Sequence, residues 1–190
     1  MMYRESVLGE RIYLIREFLA PAECERFMAE TEARGYGEAP VNTRYGPMVR
    51  QSVRSNSRVI FDDAALAAEW FERARAYLPV RLGEWEACGM NERFRAYRYE
   101  PGELFARHYD ASYERSPRES SQLSFIVYLN DDFEGGSTGF YHSDDRPRVA
   151  VRPRAGTALV FDHYELHDGA PVVSGRKYVL RTDVMYHRVG

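Results

Sequence analysis

The chain has 190 residues, 44% of them hydrophobic, with 26 basic and 29 acidic side chains and a formal net charge of -3. This length predicts a single domain, with strand and helix support in about 1–90 and a core in about 91–190, and the charge balance excludes an overall basic field that would draw nucleic acid or anionic lipid. Because the sequence shows neither a signal peptide nor an apolar run that could span a bilayer, we expect a cytoplasmic protein without a membrane partner.

The front half of the chain predicts a strand followed by a helix. Residues 11–17 carry apolar side chains on a strand-like pattern, and Pro21 suits the first turn of a helix. The stripe of that helix is predicted to contain Cys24, Phe27, Met28 and Thr31. Neither Cys24 nor Cys88 has CxxC spacing, so we expect two free thiols, each buried or half-buried.

The next segments predict a loop, a strand and a second helix. Residues 35–47 are rich in Gly, Pro, Asn and Tyr and should form a loop, whereas 57–61 is a short apolar strand. Asp62 or Asp63 then suits a helix N-cap. The helix is predicted over 64–78, before Pro79, with Leu66, Trp70, Ala74 and Tyr77 on its apolar face.

From about residue 91 onward, short strands alternate with turns. In 122–130 the odd positions are uniformly apolar and the even positions mostly polar, and 177–185 divides its side chains between two faces in the same way. One face packs against the helices and the other lines a site. We therefore predict an α+β, mainly β protein with a double-stranded β-helix core (jelly-roll, cupin-like) and N-terminal helices packed on one sheet.

His108, Asp110 and His167 form a candidate metal site. Side chains at i and i+2 leave the same face of a strand, so His108 and Asp110 can coordinate one ion. His167, from a distant strand, is the third candidate ligand. Two histidines and one carboxylate with open positions opposite suit non-haem Fe(II) oxygenases. Lys177 is the candidate partner for the far end of an anionic co-substrate.

Four segments of the back half resemble the Fe(II)- and 2-oxoglutarate-dependent dioxygenases, specifically the prolyl 4-hydroxylase-like group. They are YRYEPGELFARHYD (97–110), FIVYLNDDFEGGSTGF (125–140), PRAGTALVFDH (153–163) and LHDGAPVVSGRKYVLRTDVMY (166–186). The segment IREFLAPAEC (15–24) is also similar to the strand and helix that precede the barrel in those enzymes.

The resemblance implies roles for particular residues. His108, Asp110 and His167 match the iron ligands, Lys177 matches the partner of the distal carboxylate of 2-oxoglutarate, and Tyr99 and Tyr128 match tyrosines around that co-substrate. The implied cofactors are Fe(II), 2-oxoglutarate and O2, with ascorbate as reductant. The implied reaction hydroxylates an unactivated C–H, with release of succinate and CO2.

One position departs from the family pattern. Prolyl hydroxylases commonly have a tyrosine three residues before the first iron ligand, where this chain has Phe105. Arg181, on the Lys177 face of the predicted strand, is the candidate that supplies the missing hydrogen bond, although Asp183 is an equally good partner for its charge. Arg176 is expected on the opposite face, in solvent.

The remaining histidines have structural interpretations. His163 lies four residues before His167, which on a helix would make a zinc pair, but the apolar strand 157–161 argues against a helix there. We therefore expect His163 to be structural or at the rim, and His142 and His187 to be exposed.

The substrate is less constrained by the sequence. Residues 42–58, with four arginines, and 111–121, directly after the metal motif, are predicted loops at the barrel mouth, either solvated surface or a lid. The candidate substrates are a peptide, such as one with a prolyl residue, and a small anionic molecule. Two alternatives stay open, a cupin-like zinc hydrolase and a non-catalytic metal-binding module. Lys177 argues against the hydrolase, which needs no counter-charge there, and the complete ligand triad argues against a module that has lost turnover.

Overall fold

The front half of the chain combines two helices with strands that join the main sheet. The computed structural model describes residues 1–39 and 53–190, together with the backbone of 41–43 and 46–48. The elements are β1 (Tyr3–Leu8), β2 (Ile12–Arg16), α1 (Pro21–Arg34), β3 (Gly37–Glu38), β4 (Val41–Thr43), β5 (Gly46–Met48), β6 (Ser57–Asp62), α2 (Ala64–Ala74), a 3-10 turn (Arg75–Tyr77), β7 (Arg81–Leu82) and β8 (Trp85–Met90).

The back half consists of strands and turns over its whole length. Its strands are β9 (Arg93–Tyr99), β10 (Phe105–His108), β11 (Glu114–Ser116), β12 (Glu119–Tyr128), β13 (Glu134–Gly135), β14 (Thr138–Tyr141), β15 (Pro147–Val151), β16 (Ala158–Asp162), β17 (Leu166–Gly169), β18 (Val172–Ser174) and β19 (Lys177–Arg188).

Two antiparallel sheets face each other and remain open at their edges. The large sheet has the order β1-β2-β16-β12-β19-β9-β6-β3, with β11 added beside β12 and β8 beside β19, and the small sheet has the order β10-β17-β14-β15. Side chains from both sheets share one buried cluster, which includes Tyr128 and Leu159 from the large sheet and Phe140 from the small one. This is the mainly β, two-sheet core that the sequence predicts.

Both helices pack on the outer face of the large sheet. Trp70 of α2 is fully buried, and its ring meets Phe18, Phe27 and Phe94 edge-on at centroid distances of 5.2, 5.8 and 5.3 Å. Such edge-to-face pairs add to the large area that each aromatic ring buries. The Asp63 carboxylate accepts the Leu66 backbone N–H at 2.9 Å, which confirms the predicted N-cap.

The two-face division of the central strands is confirmed. In β12, Leu123, Phe125 and Val127 belong to the helix-side core, whereas Ile126 and Tyr128 line a cavity between the sheets. In β19, Tyr178, Leu180 and Val184 face the helices, whereas Lys177, Val179 and Arg181 line the same cavity. A period of two therefore separates the core from the site.

Several local predictions were wrong. The predicted loop 35–47 contains the short strands β3, β4 and β5, and the predicted loop 111–121 contains β11, which pairs with β12. The α-helical part of the second helix ends at Ala74, five residues before Pro79, and Arg75–Tyr77 continue it as a 3-10 turn with tighter i to i+3 hydrogen bonds. Cys24 is buried as expected, but Cys88 is exposed, and both thiols are free.

Two further features bear on the sequence predictions. Arg44 and Arg50, from the predicted mouth loop, lie outside the described residues. Among the residues that the structure describes, none of the helices combines the length and the apolar character needed to cross a membrane. That the whole chain forms one domain stays a prediction.

Candidate metal centre

The structure brings the three predicted ligands together at one end of the cavity. His108 on β10 and His167 on β17 are direct cross-strand partners, and Asp110 follows β10 by two residues. One ligand atom from each residue lies within 4.8 Å of the others. The Asp110 oxygens Oδ1 and Oδ2 are each 3.6 Å from one imidazole Nε2, that of His108 and that of His167 respectively.

The backbone fixes which nitrogen of each imidazole faces the centre. The Nδ1 atoms of His108 and His167 lie 2.8 and 2.9 Å from the carbonyl oxygens of Ala106 and Glu165. Because a carbonyl can only accept, each Nδ1 carries the proton and each Nε2 presents its lone pair to the centre. Burial lowers the pKa of His167 to about 4, so this ring is neutral near neutral pH. Two neutral nitrogens and a carboxylate fit a divalent iron ion.

Asp110 is held through both of its oxygens. Arg181 Nη1 donates to Oδ1 at 2.6 Å, and Ser124 Oγ donates to Oδ2 at 2.5 Å. Burial by itself would raise the pKa of Asp110, but Arg181 and the two histidines hold it well below its usual value. The carboxylate is therefore ionised and fixed in orientation before any metal binds.

A hydrogen-bonded chain behind Asp110 contains three residues that the sequence did not assign to the site. Ser124 Oγ lies 3.0 Å from His163 Nδ1, and His163 Nε2 lies 2.9 Å from Ser121 Oγ. The single hydroxyl proton of Ser124 goes to Asp110, which only accepts, so His163 Nδ1 must donate and its Nε2 must accept. His163 is 2% exposed, which makes it structural and excludes the rim.

A usable sequence signal existed for Ser124 but not for His163. Ser124 occupies an even position of β12, on the polar face that was predicted to line a site. His163 follows β16, and its contact with β12 depends on strand pairing that the sequence does not contain. His142 is exposed as expected, whereas His187 is only half-buried, and neither belongs to the ligand group.

Lys177 lines the same cavity four residues before Arg181 on β19, which places it about 13 Å along the strand from the metal end. The cavity walls include both histidine ligands, Arg181 and Lys177. Lys177 is 3% exposed, and its Nζ donates to the Gly136 carbonyl at 2.6 Å. Burial lowers the pKa of Lys177 to about 7. The residue at 136 must be small, because a Cβ there would approach Lys177 Cδ to 3.1 Å.

The two tyrosines predicted for the co-substrate also line the cavity. The Lys177 ammonium lies 4.9 Å from the ring centroid of Tyr99 and 5.7 Å from that of Tyr128. The Tyr128 hydroxyl forms a 2.7 Å hydrogen bond with the Thr138 hydroxyl. Burial raises the pKa of both tyrosines, so both phenols are neutral and can donate or accept.

The contacts of Phe105 and Arg181 are ones that the sequence alone did not determine. The Phe105 ring stacks on the His108 imidazole at a centroid distance of 3.6 Å, so it packs against a candidate ligand. The two Nη groups of Arg181 donate hydrogen bonds to Asp110, Asp183 and Ser124, at the metal end of the cavity and away from Lys177. Within the described part of the chain its buried Nε has no hydrogen-bond partner. Direct binding of the co-substrate by Arg181 stays a prediction.

Fold and site together define a class of protein. An open two-sheet β core that brings two histidines and a carboxylate together beside a cavity has the arrangement of a candidate mononuclear metal centre on a jelly-roll scaffold. The 2OG-Fe(II) oxygenase superfamily model matches residues 94–182, which contain all three candidate ligands and Lys177. Over this segment the chain matches the superfamily, and it is similar to prolyl 4-hydroxylases.

Individual relatives agree with this assignment. The chain is 26% identical over 189 residues to prolyl 4-hydroxylase 1 of Arabidopsis thaliana, covering 88% of this chain and 66% of that protein. It spans no more than about two thirds of the length of the curated relatives it matches.

Solved structures support the fold. The viral collagen prolyl hydroxylase of Paramecium Bursaria Chlorella virus-1 aligns with a TM-score of 0.66 at 21% identity, covering 94% of this chain and 97% of that one. A prolyl hydroxylase of Trichoplax adhaerens, in complex with a hypoxia inducible factor peptide, aligns with a TM-score of 0.69 at 16% identity, covering 93% and 84%.

Proposed function

We propose that this protein is an Fe(II)- and 2-oxoglutarate-dependent dioxygenase that hydroxylates an unactivated C–H of a peptide substrate, with a prolyl residue as the candidate target. The observation that carries the proposal is one cavity with convergent His108, Asp110 and His167 at one end and buried Lys177 at the other. A zinc hydrolase or a binding module has no use for that distant cation.

Each end of the cavity suits one end of the co-substrate. His108 Nε2, His167 Nε2 and Asp110 would hold Fe(II), which supplies the oxidative decarboxylation of 2-oxoglutarate to succinate and CO2 together with hydroxylation of the substrate. Lys177, once protonated, would pair with the distal carboxylate in place of the Gly136 carbonyl. Tyr99 and Tyr128 offer neutral hydroxyls on the same walls.

The cavity walls also exclude water around the bound co-substrate. Phe105, Ile126 and Val179 contribute apolar surface between the two polar ends. An enclosed apolar wall strengthens the ion pair at Lys177, because charges interact more strongly when solvent is excluded.

The peptide substrate is supported by the relatives. The curated matches are named prolyl 4-hydroxylases, and one structural neighbour holds a peptide fragment. Ascorbate as the reductant and a cytoplasmic location are parts of the same proposal, and two unpaired cysteines suit a reducing compartment. A small anionic substrate is the alternative that the substrate assay below distinguishes.

The test begins with metal-free protein under anaerobic conditions. Fe(II) is added first and 2-oxoglutarate second, and the visible charge-transfer band of a chelated 2-oxo acid is recorded, with His108→Ala as control. We expect a band that the variant lacks. Bound metal without the band would contradict the proposal and favour a zinc enzyme or a binding module.

The substrate is then identified with the loaded protein. Proline-containing peptides and small anionic acids are supplied with oxygen, with and without ascorbate, and each mixture is read by mass spectrometry for a gain of one oxygen and by succinate release. Succinate formation that responds only to a small acid would overturn the peptide part of the proposal.

A further inference from the structure

A buried network of charges lies directly behind Asp110. Arg181 Nη2 donates to Asp183 Oδ1 at 3.0 Å, and Arg95 Nη1 donates to Asp183 Oδ2 at 3.1 Å. Asp183 is 1% exposed and Arg181 9% exposed, whereas the Arg95 side chain is 21% exposed. The two carboxylates of the network are thus matched by two guanidinium groups, and only Arg181 touches Asp110.

The ion pair between Arg181 and Asp110 changes the net charge that a metal ion would encounter in this site. Arginine stays protonated in proteins, so its charge is permanent. The negative charge of Asp110 is already balanced by Arg181, and His108 and His167 would bind a metal through uncharged Nε2 lone pairs, since each Nδ1 donates to a backbone carbonyl. A divalent ion would therefore keep most of its positive charge uncompensated, in a buried position where charges interact strongly.

We propose that Arg181 is a positioning residue that holds Asp110 in place. Through its permanent positive charge beside that carboxylate, Arg181 also biases a bound iron ion toward Fe(II) over Fe(III). This inference rests on the proposed function, since it concerns iron in the same site. A fixed cation next to a ligand carboxylate disfavours the more highly charged oxidation state. It also leaves the Fe(II) centre more attractive to an anionic co-substrate.

The geometry favours this role over a purely structural one. Arg181 bridges Asp110, Ser124 and Asp183 through two separate Nη groups held in one plane, whereas an ammonium would have to make all three contacts from a single nitrogen. The bridge reaches the Oδ1 of Asp110, while Ser124 holds Oδ2, so the carboxylate has no freedom to rotate. Burial opposes the charge of Arg181, but Asp110 and Asp183 raise its pKa.

The experiment measures the Fe(III)/Fe(II) midpoint potential of the iron-loaded full-length protein without co-substrate. Anaerobic titrations with redox mediators are followed by the electron paramagnetic resonance signal of Fe(III). For Arg181→Met we expect the Fe(III)/Fe(II) ratio at a fixed potential to rise at least tenfold, which is about 59 mV for a one-electron couple. Arg181→Lys should stay closer to the wild type because it keeps the charge.

Two further variants make the comparison specific. Arg95→Met removes an equal charge that is more exposed and does not touch Asp110, so we expect a smaller shift. Asp183→Asn removes a negative charge without changing the shape, so it should move the potential in the opposite direction to Arg181→Met. This variant also keeps the test decisive if Arg181→Met fails to fold.

The outcomes separate the two proposals. Wild-type protein that binds no iron would overturn the proposed function and this inference together. Wild-type protein that binds iron, with a potential that neither Arg181→Met nor Asp183→Asn moves beyond the shift of Arg95→Met, would overturn this inference alone. An equal shift in Arg181→Met and Arg181→Lys would also overturn it, because charge would then not be the cause.

Discussion

The two ends of the cavity differ in how completely their polar groups are paired. At the metal end, Asp110 accepts from both Arg181 and Ser124, and each ligand histidine donates to a backbone carbonyl. At the far end, the Lys177 ammonium makes one 2.6 Å hydrogen bond within the described residues, to a carbonyl, and burial lowers its pKa to about 7 although the charge of Asp168 opposes this. The first end is organised before ligands arrive, whereas the second gains a full charge partner only when an anion binds.

This difference predicts that loss of Lys177 weakens co-substrate binding and leaves metal affinity nearly unchanged. A preorganised site loses little freedom when its ion binds. A buried, poorly paired ammonium instead favours binding of a carboxylate, because burying its charge without a counter-charge costs free energy that the carboxylate would recover.

The largest expected effect is the loss of a ligand. His167→Ala should lower the affinity for Fe(II) or Co(II) by more than the roughly hundredfold that removal of an outer partner can cost. Equilibrium dialysis with metal analysis measures this, with His142→Ala as the matched control on an exposed histidine. Metal binding that survives His167→Ala would break the assignment of the metal end.

The next effect is at the far end. Lys177→Ala should weaken 2-oxoglutarate binding to the iron-loaded protein by about 3 kcal/mol, roughly a hundredfold, because it removes the buried cation that would pair with the distal carboxylate. Co(II) affinity should stay within about twofold. A loss of metal affinity of the same size as the loss of co-substrate affinity would show that the two ends do not act separately.

The pH dependence of co-substrate binding tests the same difference between the metal end and the Lys177 end of the cavity. Because burial lowers the pKa of Lys177 to about 7, the free protein loses the required positive charge as the pH rises through 7. We expect 2-oxoglutarate affinity to be highest below pH 7 and to fall up to about tenfold per unit above it. Lys177→Arg should flatten the profile, since arginine stays charged; a profile shared by both proteins would contradict this origin.

The smallest expected effect concerns the position where the family commonly has tyrosine. Phe105→Tyr adds one hydroxyl on the cavity wall and keeps the ring that stacks on His108. One added hydrogen bond should tighten 2-oxoglutarate binding by about 0.5–1.5 kcal/mol, roughly two- to tenfold. Phe105→Leu adds no donor and should give no gain. Equal affinities in all three proteins would mean that no co-substrate oxygen lies near this wall.

The sequence predicts the regular parts of the molecule because they follow simple periods. The alternation in β12 and β19 places Tyr128, Lys177 and Arg181 toward the cavity, and the spacing of His108 and Asp110 puts them on one side of an extended chain. The N-cap at Asp63 and the stripe of α2 follow from local rules in the same way.

Side-chain contacts that depend on which strands become neighbours cannot be predicted from the sequence. The contact of Ser124 with Asp110, and of His163 with Ser124, requires β12 to lie beside β16 and the end of β10 to approach both. The partner of Arg181 could not be chosen for the same reason, because Asp110, Asp183 and the co-substrate are all suitable for a guanidinium. The strands β1 and β8 were missed since their half-exposed residues give no clear alternation.

The central claim is that one cavity binds one co-substrate by its two ends. The most direct test compares 2-oxoglutarate with 2-oxovalerate, which lacks the distal carboxylate, by titrating the charge-transfer band of iron-loaded wild-type protein and Lys177→Ala. We predict that the wild type prefers 2-oxoglutarate by roughly a hundredfold and that Lys177→Ala loses most of this preference. A preference that Lys177→Ala retains in full would contradict the account.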